Sequence, residues 1–289
     1  MTIIVIGKSG QLASELSCLN NLNNNIIALG RYDIDIFDVE SMCIILKERG
    51  ARAVINTAAY TAVDKAESEI ENVYAINETG SKNVARACSL LNIYLVHIST
   101  DFVFDGQNTS PYLPSNLCNP ISAYGKSKRA GEKAVLETLP DSSCVLRTSW
   151  VYSRFGNNFL KTMLKLMTER DELDVVGDQI GTPTNASGLA NACMQIVTYR
   201  LVGTHHYTDA GLASWYDFAE AIYEIGIELG MLNKTISLRP ISTSEYPTAA
   251  KRPIYSVLDK TSLLEAMPSI VLFHWRDQLR AMMETMKTN

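Results

Sequence analysis

The chain has 289 residues, 46% of them apolar and 20% charged, with a formal net charge of −5. That balance fits one large or two smaller globular domains with ample surface to bury. The acidic excess and the lack of a basic stripe exclude a nucleic-acid footprint and argue against an anionic membrane surface. The six cysteines include no C-x-x-C pair, and they read as free thiols of a reducing cytosol rather than disulfides.

The chain opens on a short β-branched run, "TIIVIG" (2–7), too brief for a membrane span and without a basic leader. The expected location is therefore cytoplasmic. Helical spacing follows at 11–19, a strand at 25–30, a helix at 39–50 and a strand at 53–59. A long amphipathic helix is predicted over 72–92, a strand over 94–100, a helix over 124–139 and a strand over 143–152. Strands that are apolar on both faces and alternate with helices predict α/β architecture, a doubly wound parallel sheet of Rossmann type. The second half predicts helices at 157–170, 186–199, 214–230 and 275–286, with Ser214 as an N-cap and Gly230 past a helix end. This half reads as a smaller, mostly α, substrate-binding region. The division expected is a dinucleotide-binding domain over 1–148, with part of 185–208 returning to it, and a substrate region over 149–289.

The first strand–helix turn, "VIGKSGQLASEL", places Gly7, Gly10 and Ala13 as G-x-x-G-x-x-A. Glycine permits the tight turn and lets a pyrophosphate reach backbone N–H groups at a helix N-terminus. Ser9, Gln11 and Leu12 go with that turn as cofactor contacts. The second strand ends "ALGRYD", so Gly30 and Arg31 stand where an acid would otherwise hold the adenosine ribose. A guanidinium there suits a 2′-phosphate, so NADPH is the expected cofactor, with NADH possible.

The strand 94–100 ends in Ser99 and Thr100, followed by Asp101, at the carboxyl edge where doubly wound sheets bind ligands. Tyr124 and Lys128 stand four apart on the next helix and share one face. A free phenol has a pKa of about 10, and a nearby ammonium would favour its ionised form and lower that value. Tyr124 can then exchange a proton with an alcohol or carbonyl oxygen while a nicotinamide exchanges hydride at the same carbon. Thr100 can hold that oxygen.

These motifs resemble the extended short-chain dehydrogenases/reductases. Further stretches, among them "NTAAYTAVDKAE" (56–67), "STDFVFDG" (99–106), "RTSWVY" (147–152), "DQIGTPT" (178–184) and "YPTAAKRPIYSVLD" (246–259), resemble the dTDP-4-dehydrorhamnose reductase family from end to end. The resemblance implies NADPH-dependent reduction at C4 of a nucleotide-linked 4-keto-6-deoxy sugar, with Thr100, Tyr124 and Lys128 catalytic. It implies Asp35 and Ile36 near the adenine, and Ala58, Ala59 and Tyr60 along the cofactor. Asp101, Phe102, Trp150, Asn158 and Arg252 would contact the sugar nucleotide, Arg252 at its diphosphate. Phe102 replaces the family's usual tyrosine and removes a hydroxyl. Some family members form dimers bridged by Mg2+ through acidic side chains. Glu15 is one candidate ligand, but 186–199 carries no Asp or Glu, which counts against such a site. The partner expected is a nucleotide sugar, and the assembly a monomer or homodimer. The alternatives are a related 4-keto-sugar reductase with another product, or a non-catalytic regulatory subunit of the same fold.

Other conspicuous residues read as bland. His205 and His206 point to opposite faces of a strand and lack a third ligand. His97 reads as a satisfied core residue, Trp215 and Tyr216 as core, and Asp64 as part of a solvated helix start.

Overall fold

The computed structural model describes residues 1–288. Five strands alternate with helices in the first half: β1 (Thr2–Ile6), β2 (Asn25–Leu29), β3 (Ala53–Asn56), β4 (Tyr94–Thr100) and β5 (Ser143–Thr148). A sixth, Gly203–His206, pairs with β5 at the edge. All five pairings are parallel, and the order across the sheet is Gly203–His206, β5, β4, β3, β1, β2. The direction of winding reverses at β1, which lies between β3 and β2, and the crevice beyond the strands' carboxyl ends opens there.

Two-sided burial explains the unbroken apolar runs. Ile3 and Val5 of β1 enter one core layer and Ile4 and Ile6 the other. The first layer is closed by α1 (Gln11–Cys18) and the helix Ala186–Tyr199, the second by α2 (Val39–Glu48) and the helix Ser81–Leu91. A third cluster holds the C-terminal helices Phe159–Glu169, Trp215–Glu228 and Trp275–Thr288 around Phe218. Ser214 caps its helix with a reciprocal Asp217 bond, as its place in the sequence predicts. Among the described residues no helix is long and apolar enough to cross a membrane, and every cysteine is free.

Two predicted elements are interrupted. The helix expected over 72–92 is α-helical at Ile70–Tyr74 and Ser81–Leu91, with a π-turn at Ala75–Gly80 between them. The widened turn presses the Asn77 carbonyl against the helix Ala123–Thr138, where a Cβ at Gly131 would lie 2.1 Å from that oxygen. The strand expected over 143–152 stops at Thr148 and resumes only for Val151–Tyr152. Trp150 sits between them with φ +47°, a rare conformation for a bulky side chain. That turn releases its indole from the sheet.

Candidate active site

A trough runs along the carboxyl edge of the sheet. Its deeper end, about 570 Å³, is bordered by Ser9–Leu12, Thr100–Phe102, Tyr124, Lys128, Trp150 and Arg252. The other end, about 1040 Å³, is bordered by Gly7, Arg31, Asp35, Ile36 and Ala58. Ser9, Gly10, Thr57, Ala59 and Thr61 line both, so the two are continuous.

The glycine turn forms the waist. Gly7 has φ +112°, and a Cβ there would come within 2.5 Å of Thr57 Oγ1, so only glycine fits against the loop after β3. Gly10 begins α1 with no side-chain cap, which leaves the first-turn N–H groups for a ligand at the trough. The uncapped backbone donors at the start of α1 suit a dinucleotide pyrophosphate. At the far end Arg31 lies over the Tyr32 ring at 5.0 Å. Sequence reading placed no acid here, yet the Asp33 carboxylate turns back to accept from Gly30 N–H at 2.8 Å and sits 3.7 Å from Lys8 Nζ. Lys8, also on this wall, was missed because it lies inside the glycine turn rather than at the end of β2.

Three predicted catalytic side chains meet at the deep end. Thr100 ends β4, and its hydroxyl donates to Asp101 Oδ1 at 3.0 Å while accepting from Phe102 N–H at 3.2 Å. Tyr124 and Lys128 project from the helix Ala123–Thr138, which Ser122 caps through Gly125 N–H. Lys128 is almost wholly buried, and its Nζ donates to the Ile98 carbonyl at 2.7 Å. Burial brings its ammonium down to about 8, opposed by the Glu132 carboxylate one turn on.

The phenol departs from expectation. Burial pushes Tyr124 up to about 12; a hydrogen bond with Thr100 works against this and the Asp101 charge adds to it. Phe102 packs edge-on against the Tyr124 ring with centroids 5.5 Å apart, which accounts for part of that desolvation. The phenol is therefore neutral at physiological pH, whereas the i, i+4 spacing to Lys128 predicts a lowered pKa. The i, i+4 spacing puts the amine on the same face, but the amine is held by the Ile98 carbonyl.

Asp101 is buried, with Oδ2 lacking a hydrogen-bond partner among the described residues, and desolvation lifts it to about 6, opposed by the neighbouring Ser256 and Thr100 hydroxyls. Beneath the site lies a buried ion pair. Arg147 donates Nε and Nη2 to the two Glu132 oxygens, each at 2.8 Å, and Arg129 adds a third bond at 2.8 Å. Burial alone would raise Glu132, but Arg147 outweighs it and holds the carboxyl at about 2.

Other expectations divide. Trp150 lines the deep end, gripped between Gly181, where a Cβ would sit 2.6 Å from the indole, and Trp215, stacked at 3.6 Å. Trp215 thus belongs to the cavity wall rather than to the core alone; its position in the first turn of a capped helix was the available signal. Asn158 is corrected: its amide donates to Gln11 Oε1 and the Ser153 carbonyl, and its oxygen caps the helix Phe159–Glu169, so Asn157 borders the cavity instead. Tyr60 borders neither end of the trough; its hydroxyl donates to Glu69 at 3.0 Å and its backbone pairs with Asn77. Glu15 is buried and accepts from Ser153 at 2.6 Å, so it presents no carboxylate to a partner surface. Among the described residues no three His, Cys, Asp or Glu side chains converge on a metal position. His97 is buried with Nε2 unpaired, and His206 is engaged by Asp259 and Arg147.

A glycine turn at the carboxyl edge of a parallel sheet, with Thr100 at a strand end and Tyr124 and Lys128 on the helix that follows, defines a short-chain dehydrogenase/reductase. Comparison with known proteins narrows the class. A family model described as the RmlD substrate binding domain matches residues 1–288. A dTDP-4-dehydrorhamnose reductase of Aggregatibacter actinomycetemcomitans is 39% identical over 91% of this chain and 92% of its own. A dTDP-4-keto-6-deoxy-D-glucose reductase of Streptomyces niveus is 36% identical over 96% and 94%. The crystal structure of a Bacillus anthracis dTDP-4-dehydrorhamnose reductase in complex with NADP superposes with a TM-score of 0.91 at 35% identity, over 98% of this chain and 99% of that one. This chain belongs to the dTDP-4-dehydrorhamnose reductase family.

Proposed function

We propose that the protein reduces the C4 ketone of dTDP-4-dehydro-6-deoxy-L-mannose to the alcohol of dTDP-L-rhamnose, with NADPH as reductant. The observation that carries this reading is the Tyr124 phenol: half-buried, beside Thr100 on the cavity wall, and neutral at physiological pH. A ketone reductase needs such a donor, because the oxygen of the reacting carbonyl becomes an alkoxide that must be protonated.

NADPH, when bound, supplies the hydride. The backbone between Gly7 and Leu12 would hold its pyrophosphate, Arg31 its 2′-phosphate, Asp35 and Ile36 the adenine end, and Ala58 and Ala59 the loop side. Thr100 orients the ketone oxygen, and Tyr124 transfers its hydroxyl proton to that oxygen. Lys128, buried and held by the Ile98 carbonyl, holds the nicotinamide ribose. Trp150, backed by Trp215, covers the sugar and excludes water, while Asp101 faces its hydroxyls. Arg252 takes the diphosphate. The protein works in the cytoplasm on a soluble nucleotide sugar, as a monomer or homodimer.

A second reading is favoured by Phe102 and by the Streptomyces relative: a 4-keto-6-deoxy sugar of another configuration. The deciding assay follows NADPH oxidation with dTDP-4-dehydro-6-deoxy-L-mannose generated in situ and identifies the product by chromatography against dTDP-L-rhamnose. Tyr124→Phe should lower kcat by about 10²–10⁴-fold with NADPH affinity unchanged. Near wild-type kcat in that variant would remove Tyr124 from the acid role. Nucleotide binding without NADPH oxidation on any 4-keto sugar would favour a regulatory protein.

A further inference from the structure

Asp64 lies in the short helix Val63–Ala66, directly after the loop that follows β3, while Arg252 belongs to the C-terminal segment and borders the cavity. The two form an end-on ion pair: Arg252 Nη2 donates to Oδ2 at 2.7 Å and Nη1 to Oδ1 at 3.1 Å. Asp64 Oδ1 also accepts from Ala250 N–H at 3.1 Å, and Arg252 Nη1 donates back to the Ala250 carbonyl at 3.3 Å. One carboxylate therefore fixes both a guanidinium and the backbone two residues before it. The hydrogen bond from Arg252, opposed by partial desolvation, keeps the Asp64 carboxyl below its ordinary range, so it is ionised at any working pH.

A guanidinium carries five N–H donors in a planar fork. Asp64 and Ala250 occupy three of them, all on the two terminal nitrogens. The side edge remains, made of Nε–H and the outer N–H of Nη2, for which no acceptor stands among the described residues. That edge presents two parallel donors at the spacing of two phosphate oxygens. A flexible arginine would offer its edges in turn and lose rotamer freedom on binding. This one is already oriented, with a quarter of its side chain still exposed.

We propose that Asp64 is a positioning residue for nucleotide-sugar binding: it locks Arg252 so that its side edge grips the substrate diphosphate. The inference rests on the reading of Arg252 as the diphosphate ligand. Two effects of Asp64 oppose each other. Its charge repels a diphosphate on the adjacent edge of the same guanidinium, at a separation too short for salt to screen, but the carboxylate is almost half exposed, so water weakens that repulsion. Its orienting effect acts through direct bonds and survives added salt. Orientation dominates, so removing Asp64 weakens the substrate.

The test titrates dTDP calorimetrically into the full-length protein saturated with NADP+, at 0.15 M and about 0.5 M salt. Asp64→Ala should weaken dTDP roughly tenfold at both, Asp64→Glu much less, and Arg252→Ala by at least as much. The double variant should bind no more weakly than Arg252→Ala. Affinity for thymidine and for NADP+ should stay at wild-type values, and turnover should show a raised KM with kcat within about twofold, a split that general destabilisation would not produce. If Arg252→Ala weakens dTDP while Asp64→Ala binds it as tightly as wild type or more so, Asp64 is a competitor for Arg252 and the inference fails alone. If Arg252→Ala leaves dTDP unchanged, the diphosphate reading of Arg252 fails first.

Discussion

Gly125 offers a prediction in which two ordinary rules conflict. It follows Tyr124 on the helix Ala123–Thr138. On an open helix, Gly→Ala is stabilising by about 1 kcal/mol, because alanine loses less backbone entropy. Here a Cβ would fall 2.2 Å from the Phe102 carbonyl oxygen and 3.1 Å from Pro120 Cβ. The first distance is more than 1 Å inside ordinary contact, and the atom met is backbone, so no side chain can swing aside. The helix must separate from the turn Asp101–Val103, at a cost of about 1–3 kcal/mol or more, which cancels or exceeds the helical gain. The displacement acts on the site as well. Thr100 caps that turn and Tyr124 begins that helix, so moving one from the other by about 1 Å separates the two hydroxyls proposed to orient and protonate the ketone. Misplacement of that size can cost about 10²-fold in rate. Gly125→Ala should therefore melt no higher than wild type and up to about 4 °C lower, and lose about 10²-fold in kcat, with NADP+ affinity unaltered. Calorimetry and steady-state kinetics on one preparation would decide it. A variant that melts higher than wild type and keeps its kcat would show that the two elements are not packed as described.

Two further expectations concern charge. Glu132→Gln keeps the side-chain shape but leaves buried Arg147 without its counter-charge, and should destabilise by about 3–5 kcal/mol at pH 7 in chemical denaturation. The folded Glu132 carboxyl lies at about 2, below its ordinary 4.5, so its contribution is complete above pH 4.5 and declines as pH falls toward 2. The gap between wild type and variant should narrow over that window; a gap constant down to pH 2.5 would refute the linkage. Arg31→Ala should raise the KM for NADPH roughly tenfold while changing that for NADH less than twofold. Equal effects on both cofactors would show that Arg31, which stacks on Tyr32, faces no 2′-phosphate.

Much of the molecule follows from local rules. Strand β4 and the helix Ala186–Tyr199 have the limits their apolar patterns indicate, and the Ser214 cap forms as its position requires. The glycine turn and the Tyr124–Lys128 face are legible because each depends on spacing within a few residues. Tertiary contacts decided the rest. Trp150 breaks an apparent strand because its indole is held by Gly181 and Trp215, and neither residue is near it in the chain. Asn158 has the composition of a ligand but its amide is satisfied by Gln11 and Ser153. Asp64 resembles a solvated acid until the C-terminal segment brings Arg252 to it. The Tyr124 phenol is raised rather than lowered in pKa because packing against Phe102 and its neighbours desolvates it, while the Lys128 amine one turn away turns to the Ile98 carbonyl. Periodicity and turn chemistry are properties of neighbouring residues; desolvation and partner choice belong to atoms that only folding brings together.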